Sequence, residues 1–205
     1  MTPKIFDMDS REEVRIKMLN AGFQLIKEHG LTHASVSKVM NIVGLGKGTF
    51  YHFFESKEKF VYDIILYQRN QMKIQFEQLL GGRDKMTKEE GKNFFKKIIF
   101  SQDSIYQYLT REEMNMIIEQ NPEMKYINVE RETKLMDTFV KHIEETKDQI
   151  NWKVANNLLK IMALAEVNKE ELHKDVLNET LDKIYELFFQ MVFKNELSNG
   201  GENKK

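Results

Sequence analysis

The groups most suited to chemistry in this 205-residue chain lie in residues 44–60, which read GLGKGTFYHFFESKEKF. Gly44, Gly46 and Gly48 alternate, Lys47 stands between two of them, and a hydroxyl, a phenol and an imidazole follow. Glycines leave backbone N–H groups accessible and a lysine adds positive charge, so the stretch has groups that bind phosphate oxygens. The phosphate could belong to a nucleotide or to a nucleic-acid backbone.

Neither common nucleotide-binding motif fits this stretch. A P-loop needs a glycine, four residues and then Gly-Lys-Ser/Thr after a buried strand. Here Lys47 precedes Gly48, and the preceding segment has the pattern of an amphipathic helix. The dinucleotide fingerprint needs G-x-G-x-x-G inside a βαβ unit, whereas this chain has G-x-G-x-G without a strand pattern. The context therefore excludes both nucleotide sites.

Catalytic and metal-binding alternatives have little support in the sequence. The chain has no cysteine, which excludes thiol chemistry, disulfides and cysteine-based metal sites. A di-metal helical bundle needs two Glu-x-x-His motifs, and only Glu170 and His173 have that spacing. No Ser/His/Asp arrangement has a supporting local context. We therefore expect no catalytic residue, no metal site and no cofactor.

Composition predicts an all-α protein. The chain is 41% hydrophobic and 31% charged, with two prolines and ten glycines. Long stretches of Glu, Lys, Leu, Ile and Met without these helix breakers favour helices. No apolar run approaches the ~18 residues that cross a bilayer, and the N-terminus lacks the apolar core of a signal peptide. We expect a cytoplasmic protein with no membrane partner.

The first third of the chain has the pattern of a helix-turn-helix. Ser10 is placed to cap a helix that stops near Gly30. A short helix over 38–43 is stopped by Gly44, and a second short helix covers 47–53 after a tight glycine turn. Ser56 is placed to cap a long helix that ends at the glycine pair 81–82. We predict a DNA-binding domain over residues 1–56.

The remainder of the chain predicts a second helical domain over 57–196 and a disordered tail over 197–205. Three capping-box spacings, Thr87/Glu90, Thr110/Glu113 and Asn168/Glu171, mark helix starts, and Pro122 suits a first helical position. The predicted helices after the long one cover 88–101, 104–109, 111–121, 122–146, 151–166 and 169–196.

Residues of about 11–60 resemble the DNA-binding domain of the TetR family of bacterial transcriptional regulators. The resemblance lies in AGFQLIKEHG (21–30), SVSKV (35–39) and above all GLGKGTFYHFFESKE (44–58). The spacing G-x-x-K-G-T-x-Y-x-x-F-x-x-K-E is specific to that family. Two positions depart from its pattern: Gly46 stands where serine or threonine is usual, and Met40 stands where alanine is usual.

The resemblance implies a set of DNA-contacting residues whose chemistry is suitable. Glycines let the recognition helix approach the DNA backbone closely, Lys47 can reach a base edge or a phosphate, and Tyr51 can donate to a phosphate. Packing alone stays an alternative for Tyr51, and an ordinary solvated side chain is the alternative for Lys57. The implied DNA-binding set is Ser35, Gly46, Lys47, Gly48, Thr49, Tyr51, His52 and Lys57. The phenylalanines Phe50, Phe53 and Phe54 are predicted to be core.

The resemblance also implies that the second domain dimerises and binds an effector. The last two helices would pair with those of a second copy, and burial in the chain's own core is the alternative for their apolar residues. The expected interface comprises Leu158, Ile161, Met162, Leu177, Leu181, Ile184, Phe188 and Met191. The expected effector pocket comprises Phe94, Phe95, Ile98, Tyr106, Met114, Ile117 and Phe139. An apolar or aromatic effector suits these residues.

The sequence thus predicts a ligand-responsive transcriptional regulator. We expect a repressor that binds a palindromic double-stranded operator as a homodimer and is released by a small-molecule effector. The alternative is a helical ligand- or partner-binding module whose helix-turn-helix no longer reads DNA. The missing hydroxyl at Gly46 and the net charge of −1 are the support for that alternative.

Overall fold

The structure, a computed structural model, describes residues 8–99, 104–122 and 130–194. Over these ranges the chain is helical, and its only extended pairings are the isolated bridges Met86–Ile143 and Thr146–Phe193. The all-α prediction is confirmed. The helices are α1 (Met8–His33), α2 (Val36–Val43), α3 (Lys47–Phe50), α4 (Lys57–Leu80), α5 (Lys88–Ile99), α6 (Arg111–Gln120), α7 (Glu130–Lys141), α8 (Trp152–Val167) and α9 (Leu177–Val192), with 3-10 turns at Ile105–Tyr108 and Lys169–Glu171.

The chain forms two compact units. Unit 1 comprises Met1–Gln71 and Asp103–Ile127, and unit 2 comprises Met72–Gln102 and Asn128–Lys205. Unit 1 therefore extends past residue 56, because it includes the first part of α4 and the later segment that carries α6. The functional division into domains 1–56 and 57–196 stays a prediction, and the predicted tail 197–205 lies outside the described residues.

Unit 1 is held together by an aromatic cluster beneath the helix-turn-helix. The rings of Phe50 and Phe60 lie 5.2 Å apart and those of Phe54 and Phe60 lie 4.7 Å apart, both edge-on. Helix α1 approaches this cluster at Gly22, where an added Cβ would lie 2.3 Å from Cζ of Phe60. Only a glycine lets α1 and α4 pack this closely without moving a buried ring.

The helix-turn-helix ends follow from local caps. The Ser35 hydroxyl accepts a hydrogen bond from the backbone N–H of Lys38 at 3.3 Å and begins α2. Gly30 has a φ of 76°, outside helical geometry, and α1 kinks there instead of ending, with a further turn to His33. Helix α3 ends at Phe50, earlier than the predicted 53, because residues 51–53 continue as turns.

The segment 104–122 packs into unit 1. Ile105, Leu109 and Ile117 are buried in the unit 1 core. The backbone N–H of Ile105 donates to Oε1 of Gln68 at 3.1 Å. The predicted capping box of α6 is present in both directions, from Glu113 N–H to Thr110 at 3.2 Å and from Thr110 N–H to Glu113 at 2.9 Å.

Unit 2 has its own aromatic core. The Phe76 ring lies 4.9 Å from Phe94 and 4.5 Å from Phe139. Gly91 of α5 lets that helix approach Ile143, since an added Cβ would lie 2.5 Å from its Cγ2. The two-way bonds between Thr87 and Glu90 form the predicted capping box at the start of α5.

Two predicted helix limits in unit 2 are wrong. Helix α7 ends at Lys141, not 146, because the chain turns to pair with residues near Met86, whose N–H donates to the His142 carbonyl at 2.9 Å. Helix α9 begins at Leu177, not 169. Asn168 and Glu171 support a single 3-10 turn, and Leu172 then adopts an extended conformation. No helix in the described ranges has the length and apolar character needed to span a membrane.

Candidate nucleic-acid interface

The turn between α2 and α3 is set by Gly44. This glycine has φ 74° and ψ 29°, a left-handed conformation that favours glycine. Its N–H donates to the Asn41 carbonyl at 3.2 Å, and the N–H of Leu45 donates to the Met40 carbonyl at 3.0 Å. These bonds satisfy the last carbonyls of α2 and reverse the chain toward α3.

The structure brings most of the sequence-predicted DNA-binding residues onto one exposed strip. Helix α3 buries Phe50, which has 0% of its surface exposed, while Tyr51, the residue after the helix, is 56% exposed. The remaining members, which are exposed or half-exposed, are Gly46, Lys47, Gly48, Thr49 and His52. We call residues 46–52 the recognition strip. Phe50 within it and Phe54 beyond it are core, as predicted, and Phe53 is half-buried.

The exposure of Tyr51 argues against packing as its whole role. Its ring contacts Phe50 edge-on at 5.3 Å, which braces the ring on one side. More than half of its surface is nevertheless open. A tyrosine whose ring packs on an apolar neighbour and whose surface is mostly exposed suits a surface that meets a polar partner.

The glycines of the recognition strip are not required by the fold. A Cβ placed on Gly46 or Gly48 would meet no atom within 4 Å. Gly46 has φ −71°, which any residue adopts, and as the residue before α3 it forms no side-chain cap. The absence of side chains at these positions leaves the backbone open to close approach from outside.

Ser35 and Lys57 differ in whether their side chains are able to donate a hydrogen bond to a DNA phosphate. The Ser35 hydroxyl oxygen accepts from Lys38, which leaves its O–H hydrogen able to donate to a phosphate. The Lys57 ammonium instead donates to the carbonyl oxygen of Leu31 at 2.6 Å. Burial lowers the pKa of Lys57, against the opposing influence of Glu58 and Glu113. Lys57 is thus neither an ordinary solvated side chain nor a free phosphate clamp.

Two arginines of α1, which the sequence analysis does not name, contact the helix-turn-helix and α4. Arg11 donates to the His52 carbonyl at 2.8 Å, and Arg15 pairs with Asp63 at 2.9 Å. Their spacing of four residues at the start of a predicted helix was the available signal, because such residues share a helix face. Their partners could not be read from that spacing.

The predicted dimer residues fall into two groups in unit 2. Buried in the core are Met162, Leu177, Leu181 and Phe188, and half-buried or exposed are Leu158, Ile161, Ile184 and Met191. The buried group has no surface to offer a second chain, so the alternative of burial in the chain's own core applies to it.

Apolar residues of α8 and α9 that stay at least partly exposed form a face on these two helices. Ile161 is 48% exposed, Leu164 is 61% exposed and Leu187 is 51% exposed, and the last two are not among the predicted interface residues. We call these partly or largely exposed apolar residues the α8/α9 face; they are Val154, Leu158, Ile161, Leu164, Ile184, Leu187 and Met191. An open groove of about 550 Å³ lies at one end of the face, lined in part by Lys147, Val154, Leu187 and Met191.

The predicted effector residues do not lie in one cluster. Phe94, Phe95 and Phe139 are in the unit 2 core, with Ile98 packed against it. Ile117 is in the unit 1 core, with Met114 packed against it. The side chain of Tyr106 is outside the described set. Their shared apolar, aromatic and Met-rich character predicts one lining, but it does not distinguish the two cores.

The metal alternative gains no support from the structure. The described ranges contain no group of three or more His, Cys, Asp and Glu side chains placed to hold a metal ion. The Glu170 carboxylate pairs with the Lys174 ammonium, which lowers the pKa of Glu170. The glutamate of the one Glu-x-x-His motif is therefore engaged in an exposed ion pair with a lysine.

Comparison with known proteins agrees with this geometry. Residues 18–64 match the family model described as bacterial regulatory proteins, tetR family. No curated protein sequence matches the chain. The matched residues include the whole helix-turn-helix and the recognition strip.

Solved structures share the fold across most of the chain. The fatty acid degradation regulator FadR from Bacillus halodurans has a TM-score of 0.53 at 18% identity, over 86% of this chain and 95% of its own. NemR of E. coli in its reduced form has a TM-score of 0.55 at 15% identity, over 90% and 100%. A protein from Mesorhizobium loti assigned to the TetR family has a TM-score of 0.58 at 12% identity, over 89% and 98%.

At these identities the structural likeness concerns the fold, and the family match concerns the helix-turn-helix. The predicted resemblance is confirmed on both grounds. Residues 18–64 match the TetR-family model of bacterial regulatory proteins, within a helical fold that the chain shares with a solved protein assigned to that family.

Proposed function

We propose that the protein is a homodimeric, ligand-responsive repressor that binds a palindromic operator through the recognition strip. One observation carries the proposal. The helix-turn-helix buries Phe50 and Phe54 and leaves the other residues of 46–52 exposed or half-exposed, with two glycines and a lysine at the start of this surface. A surface of this kind fits the major groove, where the N-terminal residues of a recognition helix meet base edges.

Each exposed residue has a role suited to its chemistry. Gly46 and Gly48 allow close approach to the sugar-phosphate backbone. Lys47 reaches a phosphate or a base edge, and Thr49 offers a hydroxyl and a methyl group. The Tyr51 phenol and the Ser35 hydroxyl donate to phosphates, and His52 faces the groove.

Lys57 acts differently in this proposal from the role that the resemblance implies. Its ammonium holds the Leu31 carbonyl at 2.6 Å. We therefore assign Lys57 to fixing the end of α1 against the start of α4. Replacing it would act on DNA binding through the packing of unit 1.

The α8/α9 face supports the dimer. Its exposed apolar side chains lie on neighbouring helices, and an exposed apolar patch in a soluble protein is typical of a protein interface. A two-fold dimer presents two recognition strips with inverted orientation, which requires a palindromic site with half-sites about 34 Å apart or a multiple of it. The resemblance to the TetR family favours the same pairing.

Release by an effector follows from linkage. A small molecule that binds the DNA-free form more tightly than the DNA-bound form lowers DNA affinity by the same factor. The predicted effector residues of unit 2, among them Phe94 and Phe139, are apolar or aromatic, which favours an effector of the same character.

In vitro selection from randomised duplex DNA, repeated with candidate apolar ligands, tests the proposal. The expected product is an inverted repeat bound as a dimer, with affinity that falls steeply as salt rises. A ligand that raises the melting temperature of the free protein more than that of the complex should release the duplex. An intact dimer that binds ligand but selects no duplex would favour the alternative of a helical module that does not read DNA.

A further inference from the structure

The end of the recognition strip is held by a side chain from α1. Nη2 of Arg11 donates a hydrogen bond to the carbonyl oxygen of His52 at 2.8 Å. The same guanidinium lies over the ring of Phe53, 4.9 Å from its centroid. A planar guanidinium that stacks and donates together is fixed in orientation as well as in position. Arg11 therefore holds two adjacent residues, one by its backbone and one by its ring.

A second arginine fixes α1 one turn further on. Nη2 of Arg15 pairs with Oδ2 of Asp63 at 2.9 Å, and the Asp63 side chain is only 15% exposed. The Arg15 guanidinium lies 5.8 Å from the Phe54 ring centroid. Because residues four apart share a helix face, the Arg15 anchor to α4 also sets the position of Arg11.

The recognition strip needs such support because α3 is very short. It comprises Lys47–Phe50, a length at which an isolated helix is not stable. Beyond it, the N–H of His52 donates to the Thr49 carbonyl at 3.1 Å and that of Phe53 to the Phe50 carbonyl at 2.9 Å. The last carbonyls of a helix have no partner within it. Arg11 supplies a partner at His52, next to the exposed Tyr51.

We propose that Arg11 is a positioning residue for the recognition strip, which fixes the backbone from Tyr51 to Phe53 without touching DNA. Its effect on DNA affinity rests on the proposed function, whereas its effect on the DNA-free protein does not. Groups that are already ordered lose less conformational entropy on binding. Loss of Arg11 therefore weakens binding while the number of ions released stays the same. Loss of a phosphate-contacting arginine would instead lower the salt slope by about one.

Affinity for the selected duplex separates these roles. Full-length Arg11→Met should bind about tenfold more weakly than wild type, with the wild-type salt slope. Arg11→Lys should resemble Arg11→Met, because an ammonium is a point charge that does not stack and donate in one geometry. Lys17→Met removes one charge from an exposed position of the same helix and should leave affinity unchanged. A salt slope lowered by about one in Arg11→Met, with affinity restored in Arg11→Lys, would overturn the proposal.

The DNA-free protein gives an independent readout. Arg11→Met should shift the backbone amide signals of His52 and Phe53 and speed their hydrogen exchange, with the melting transition retained. Lys17→Met should leave both signals in place. Unshifted signals in Arg11→Met would also overturn the proposal. If the wild-type protein selects no duplex, DNA binding itself fails, and these spectra still decide whether Arg11 fixes the segment.

Discussion

The two compact units are alike inside and differ in what they expose. Each core contains three phenylalanine rings with centroids 4.5–5.2 Å apart: Phe50, Phe54 and Phe60 in unit 1, and Phe76, Phe94 and Phe139 in unit 2. Outside, unit 1 presents the recognition strip, with glycines, a lysine and a phenol. Unit 2 presents the largely apolar α8/α9 face.

This difference indicates the kind of partner that each unit meets. Polar groups and glycines that the fold does not require suit a hydrated, charged partner such as the DNA backbone. Exposed leucine, isoleucine and valine suit a protein surface that excludes water. In both units, burial distinguishes the residues that hold the fold from those on the surface. The chemistry of the exposed residues then distinguishes a surface suited to DNA from one suited to protein.

The largest expected effect contrasts adjacent residues of unit 1. Phe50→Ala removes a fully buried ring and should lower the free energy of unfolding by about 3–5 kcal/mol. Tyr51→Ala, at the next position, should lower it by less than about 1 kcal/mol because Tyr51 is mostly exposed. Urea denaturation of both variants measures this. Similar losses at the two positions would mean that Tyr51 is part of the core.

A charged substitution on the α8/α9 face tests whether this face is the dimer interface. Leu187→Asp should weaken dimerisation by about 2–4 kcal/mol, since an unpaired carboxylate would be buried at the interface. Asn178→Asp, an exposed position on the same helix, is the matched control and should leave the dimer intact. Sedimentation velocity measures both. An unchanged dimer in Leu187→Asp would place the interface elsewhere.

Tyr51→Ala and Lys47→Ala sharpen the contrast between stability and binding. Each should weaken binding to the selected duplex by about 1–3 kcal/mol, because each removes a contact to phosphate or base. Dimer state and melting temperature should stay near those of wild type. Gel shift and thermal melting together check this outcome. Loss of folding in both variants would show that the recognition strip is structural.

The smallest expected effect concerns the glycine turn. Gly46→Ser should raise stability by about a few tenths of a kcal/mol, because the site has room and serine caps α3 better than glycine. Gly44→Ala should lower stability by about 1–2 kcal/mol, because it forces a side chain into the left-handed conformation. Thermal denaturation compares the two. Destabilisation by Gly46→Ser would mean that a side chain at position 46 does not fit without strain.

Local signals allowed the helix-turn-helix to be predicted from the sequence. Gly44 ends α2, and the phenylalanines 50 and 54 are core, both as expected. These features depend on caps and spacings within a few residues. The same local reasoning predicted the starts of α5 and α6, where Thr-x-x-Glu pairs form reciprocal bonds.

Features that depend on distant contacts could not be predicted. Residues 104–122 pack into the unit 1 core, and no local sequence pattern predicts this packing. On α8 and α9 the apolar stripe is wider than the sector that the core buries, so periodicity could not separate Phe188 from Leu187. The engagement of Lys57 with Leu31 likewise joins residues far apart in the sequence.

Amide chemical-shift mapping of the protein with its selected duplex tests most directly whether the recognition strip binds DNA. The expected result is that the largest changes fall on Gly46–His52 and on Ser35, while signals of Ile161, Leu164 and Leu187 keep their positions. Changes confined to the α8/α9 face, or no change at saturating duplex and low salt, would contradict the assignment of the two surfaces.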